Sequence, residues 1–104
     1  MFARIGVYEV PAERMNEAVE SFTAALEEIS HCEGFHEALL LVDGDDERAT
    51  TLTLWTTRAA METSAVTASR LRTDAARSVD GTVISAQQYE LATHITAPQS
   101  PASD

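Results

Sequence analysis

The chain has 104 residues and a formal net charge of −10, and all seven of its basic residues are arginines. An acidic chain without a basic stripe repels phosphate backbones and anionic lipid surfaces, so neither nucleic acid nor membrane is an expected partner. No apolar run approaches the roughly 20 residues of a membrane span. The N-terminus enters a strand pattern at once instead of a leader, and the single Cys32 suits a reducing compartment, so a cytoplasmic protein of one domain is expected.

Phe2 to Val10 alternates, with Ala3, Ile5 and Val7 on one face and Phe2, Arg4, Gly6, Tyr8 and Val10 on the other. Period two predicts a strand. Gly6 in its middle predicts a bulge or the close approach of another group. Pro11 ends the strand and suits a helix's first turn.

Met15, Ala18, Val19, Phe22, Ala25, Leu26 and Ile29 then follow at helical spacing as one apolar stripe. The other side carries Glu13, Asn16, Glu17, Glu20, Glu27 and Glu28 with few basic residues to offset them, so this helix depends on packing its stripe. Gly34 reads as the helix stop. His31, Cys32 and His36 around it are metal-capable types, but no second cluster completes a tetrahedral site, and no metal is expected.

Phe35 to Asp43 is the second strand. Its run Leu39, Leu40, Leu41, Val42 asks for burial on both faces. Gly44-Asp45-Asp46-Glu47 makes a hairpin turn, and Arg48 to Trp55 returns as the third strand. Here Thr51, Thr53 and Trp55 point one way, Leu52 and Leu54 the other. Thr56 or Thr57 can cap the next helix. Arg58 to Asp80 is helical but built on small residues and interrupted by Thr63, Ser64, Thr67 and Ser69, which predicts two shorter helices or a break near Ser64 to Thr67. Gly81 ends that segment, Thr82 to Thr93 alternates as the fourth strand, and residues 94–104 read as a disordered tail on a domain of residues 1–93.

The order β-α-β-β-α-β defines an α+β, ferredoxin-like protomer: a four-stranded antiparallel sheet with helices on one face. Two helices cover one face only, yet strands one and two offer apolar residues on both. A homodimer packed sheet against sheet removes the exposed patch.

Several pieces now form a set: Gly34-Phe35 after an acidic amphipathic helix, Asp43-Gly44-Asp45, Leu54-Trp55-Thr56-Thr57 leading into a helix, Ser64, Leu71-Arg72 and Gln88-Tyr89-Glu90-Leu91. From about residue 2 to residue 92 this set resembles the antibiotic biosynthesis monooxygenase (ABM) domain family, the dimeric α+β barrels. The resemblance implies a barrel formed by the two sheets of a dimer. Characterised members include cofactor-free monooxygenases that oxidise polycyclic phenols to quinones, and haem-degrading enzymes. The monooxygenase branch implies a site role for Trp55, whose indole N–H can hold a substrate oxygen. Its strand asparagine falls on Thr51, its helix tyrosine near Met61, and its late-helix arginine on Arg70, Arg72 or Arg77. The haem branch uses an asparagine on strand one and a tryptophan and histidine in the second helical region. The only asparagine here is Asn16, and Arg58 to Asp80 contains neither Trp nor His, so haem is not expected and no cofactor is implied.

The candidate catalytic residues are therefore Trp55 and Thr51, with Tyr8, His36, Thr53, Met61 and Arg72 as candidates for substrate binding. His36 shares a face with Trp55 if the hairpin pairs Val42 with Ala49, and its imidazole would then suit a general base. The bland alternatives are a packing role for Trp55 and a solvated edge-strand position for His36. Two functions fit: a cofactor-independent monooxygenase acting on a polyphenol or quinol-type aromatic metabolite, and a non-catalytic dimeric small-ligand-binding or accessory domain of the same fold.

Overall fold

Alternation in the first and third apolar segments becomes the centre of one antiparallel sheet in the computed structural model, which describes residues 1–98. The elements are β1 (Phe2–Glu9), a short 3-10 turn (Ala12–Arg14), α1 (Met15–Ile29), β2 (Phe35–Asp43), β3 (Arg48–Trp55), α2 (Arg58–Thr63), α3 (Ala65–Arg77) and β4 (Thr82–Glu90). The strand order is β2-β3-β1-β4, the ferredoxin-like arrangement.

Register decides which face the helices cover. Phe2 pairs with Trp55, Arg4 with Thr53, Gly6 with Thr51 and Tyr8 with Ala49. These residues lie under the helices, and the opposite set, with Ile5, Val7 and Leu52, forms the outer face. The core has two lobes. In one, Phe22 and Ala18 of α1 and Ala75 and Ala76 of α3 close over Tyr8 and Ala49. In the other, Leu26, Ile29, Met61 and Ala68 surround Trp55. Leu40 and Leu71 pack against both lobes. The Tyr8 and Phe22 rings lie 4.7 Å apart, and Phe35 meets Trp55 edge-on at 5.6 Å.

Local chemistry explains the joints. Thr57 caps α2, its hydroxyl accepting from the Ala60 amide at 3.0 Å. The long helical segment breaks at Ser64, whose hydroxyl donates back to the Ala60 and Met61 carbonyls. Such back-bonding competes with regular helix.

Two expectations need correction. Gly34 does not stop α1, which already ends at Ile29; instead it opens β2 with φ +83. A Cβ there would stand 2.3 Å from the Ala60 Cβ, so the position needs glycine for both its backbone and its space. The fourth strand stops at Glu90, not Thr93, because its partner runs out: Glu90 pairs with Phe2, and Leu91 donates its amide to the Met1 carbonyl at 2.8 Å. Gly6 marks a close approach; the register shift against β4 falls later, between Val7 and Tyr8. Of the expected tail, residues 94–98 carry no helix or strand, and 99–104 lie outside the described residues.

Candidate functional site

A helix–sheet interface is ordinarily apolar. Here the middle of it is polar: Arg4, Thr51, Thr53, Ser64 and Arg72 are all buried, alongside Tyr8 and Trp55. Strand alternation delivers the sheet residues. Arg72 comes from α3, on the same face as Ala68, Ala75 and Ala76, whose small side chains leave room for an arginine against the sheet.

The hydrogen bonds divide these groups into three. The Trp55 indole Nε1–H donates to Thr53 Oγ1 at 3.0 Å. Tyr8 Oη and Thr51 Oγ1 share a bond of 3.4 Å. Arg4 Nη2 donates to the Met61 carbonyl at 2.7 Å, and the Ser64 hydroxyl donates to that same carbonyl at 3.1 Å. Met61 O belongs to the last turn of α2, whose free carbonyls favour a cation.

The charge balance is unusual. Arg4 is 4% exposed and Arg72 3%, yet none of the ion pairs among the described residues reaches either. Among the described residues, Arg4 Nη1 is buried without a partner. Burial first, and the positive charge of Arg72 second, hold the Arg4 guanidinium below its ordinary value, against a smaller opposing influence of Tyr8. An arginine nevertheless stays protonated. Two cations thus share one buried interface, and among the described residues no carboxylate lies within ion-pair distance of either, an arrangement that costs stability unless a ligand offsets it.

Of the residues singled out from the sequence, Trp55, Thr51, Thr53, Tyr8, Met61 and Arg72 all lie in this interface. His36 does not. Val42 does pair with Ala49, but a bulge between Phe35 and Glu37 breaks the alternation before it reaches His36. Its side chain is 39% exposed and lies 3.9 Å from Glu37 on the edge strand. Arg4 escaped sequence reasoning, although alternation places it between Phe2 and Gly6 on the face that carries Tyr8. The signal was there: an arginine inside a central strand, on the side the helices need.

A separate cavity of about 560 Å³ opens at the end of the sheet, lined by Cys32, Gly34, Thr57, Thr63, Ser64 and Thr67 among others. Ser64 alone belongs to both places. Among the described residues no group of three potential metal ligands comes together, and no helix is long and apolar enough to cross a membrane.

A family model described as "Antibiotic biosynthesis monooxygenase" matches residues 1–76. No curated protein matches the chain significantly. Solved structures share the fold at low identity. One, from Deinococcus radiodurans and described as a candidate antibiotic biosynthesis monooxygenase, is 17% identical with a TM-score of 0.74, over 95% of this chain and 100% of that one. A point mutant of SnoaB, a cofactor-independent oxygenase from Streptomyces nogalater, is 15% identical with a TM-score of 0.71, over 92% and 97%. A point mutant of MhuD, solved with two manganese protoporphyrin IX per active site, is 22% identical with a TM-score of 0.73, over 93% and 100%.

Proposed function

Because the chain belongs to the antibiotic biosynthesis monooxygenase family, we propose that its helix–sheet interface binds a flat aromatic phenol or quinol and oxidises it with molecular oxygen, without a cofactor. The observation that carries the reading is the buried polar cluster of Trp55, Thr51, Thr53, Tyr8 and Arg72 in an otherwise apolar core. Cofactor-free oxygenation asks little covalent work of a protein. It needs an apolar slot for the ring, hydrogen bonds and positive charge that favour the substrate anion, and shelter from water. The anion supplies the electrons to oxygen. For an anthrone the balance closes as one substrate plus O2 giving one quinone plus one water.

In this reading Trp55 and Thr51 hold substrate oxygens. The indole N–H, held by Thr53, exchanges that one bond for a substrate oxygen. The Arg72 charge stabilises the anion, and Tyr8, Thr53 and Met61 line the slot. His36, outside the interface, has no part in it. Oxygen uptake with a panel of anthrones and hydroquinones tests the proposal. Uptake with at least one member, reduced tenfold or more in Trp55→Phe, is the expected result; a silent panel removes the enzyme reading.

A binding module without chemistry is the second reading. The self-satisfied pair of Trp55 and Thr53 favours it, as does Met61, which offers no strong hydrogen bond where the family's monooxygenases place a tyrosine. Saturable binding of an aromatic ligand with no oxygen consumed would select it.

The same proposal includes a second copy of the chain. On the outer face Leu39 is 48% exposed, Leu41 54% and Tyr89 47%, beside the half-buried Ile5, Val7 and Leu52. One continuous apolar sheet face of this kind supports a two-fold dimer, sheet on sheet.

A further inference from the structure

We propose that Arg4 and Arg72 form the docking point for the carboxylate of an aromatic acid, between β1 and α3. The proposal rests on the reading of this interface as the ligand site, and it narrows the ligand from any flat phenol to one that carries an acid group.

Arg4 divides its guanidinium between two tasks. Nη2 is committed to the Met61 carbonyl at 2.7 Å, which fixes the plane of the group. Nη1 is buried and has no partner among the described residues. The residues beside Arg4 on its face of the sheet are Phe2 and Gly6 along β1, Thr53 on β3 and Gln88 on β4, none of them an acid. Arg72 adds a second buried charge close enough to disfavour the first. A carboxylate taking Nη1 would satisfy the free donor and neutralise part of the excess charge in one step. The planar guanidinium suits that partner far better than a point cation would.

The rest of the site selects an aromatic body. Phe2, Trp55 and Met61 belong to one apolar cluster, which the Arg4 guanidinium reaches at the Met61 carbonyl. A small inorganic anion would make no use of that apolar cluster. The α2–α3 break connects this site to the neighbouring cavity through hydrogen bonds. Ser64 lines the cavity by Cys32, and its hydroxyl meets Arg4 on the same Met61 carbonyl.

Calorimetric titration of the full chain tests this with three probes: 2-naphthoate, its neutral counterpart 2-naphthylmethanol, and inorganic phosphate. The expected result is saturable binding of naphthoate, at least tenfold weaker binding of the alcohol, and no saturation with phosphate. Arg4→Met and Arg72→Met should each weaken naphthoate binding tenfold or more and leave the alcohol unchanged. Should Arg4→Met fail to fold, Arg4→Lys keeps the charge without the planar fork and should still weaken naphthoate several-fold. Absence of naphthoate binding, equal binding of the alcohol or of phosphate, or unchanged affinity in both arginine variants overturns the proposal. Oxygen uptake is read separately. Naphthoate binding in a protein that oxidises no phenol sinks the oxygenase reading and keeps the docking point. Oxidation of neutral phenols, undiminished in Arg4→Met, does the reverse.

Discussion

Tyr8 folds its ring back over Gly6, two residues earlier on the same face of β1. A Cβ built on Gly6 would lie 2.4 Å from Tyr8 Oη and 3.0 Å from Thr51 Oγ1. Tyr8 cannot swing clear, since it is fully buried against Phe22. Gly6 thus makes the floor on which the Tyr8–Thr51 pair rests. Gly6→Ala should cost about 1–3 kcal/mol by overpacking, read as a lower midpoint in urea at unchanged slope. Adding Tyr8→Phe removes the nearest atom and should return part of that loss.

Gly34 carries a different constraint. Its φ of +83 and the 2.3 Å approach to the Ala60 Cβ act together. Gly34→Ala should therefore destabilise by more than the roughly 1 kcal/mol expected from backbone alone. Gly34→Ala with Ala60→Gly relieves the clash but not the dihedral, so thermal melts of the double variant should stay below those of the Ala60→Gly parent.

The buried arginines give a stability prediction opposite in sign to most core changes. An unpaired buried cation is a net cost, and methionine keeps the stem's volume without the charge. Arg4→Met should leave the unfolding free energy unchanged or raise it by about 1–2 kcal/mol, since Ser64 continues to satisfy the Met61 carbonyl. A loss of several kcal/mol in chemical denaturation would mark Arg4 as a structural brace.

Salt should separate the buried site from a surface one. At physiological ionic strength charges interact over about 8 Å, and the chain's charge of −10 repels an anion from outside. Raising salt weakens that repulsion while leaving the buried contact little changed. Naphthoate affinity should therefore hold steady or rise between low and moderate salt; a steep fall in calorimetric titrations would place the anion at the surface.

The outer face gives a prediction about assembly. Leu41→Asp puts a charge on the exposed apolar face of β2. It should convert a dimer to single copies in analytical ultracentrifugation, with the far-ultraviolet spectrum unchanged. A wild-type chain that sediments as single copies at micromolar concentration would remove the dimer.

The sequence made the sheet legible because alternation is a strong signal where one side is buried. Trp55, Thr51, Tyr8 and Thr53 fell on the same side for that reason alone, and the helix break followed from serine and threonine in a helical run. Two things were not legible. A bulge inserts one residue without any change in composition, so the correct pairing of Val42 with Ala49 still misplaced His36. Arg4 was visible but its burial was not, because only tertiary packing decides which face of β1 the helices cover. Met61 shows the same limit from the other side: its side chain fills the core while its carbonyl, which no sequence pattern reports, orients Arg4.

The most direct measurement is a crystal structure of the chain with 2-naphthoate bound. The ligand is expected between α3 and the sheet, its carboxylate on Arg4 Nη1 and its ring beside Trp55. A naphthoate found only in the cavity beside Cys32, or on the outer face of the sheet, would contradict it.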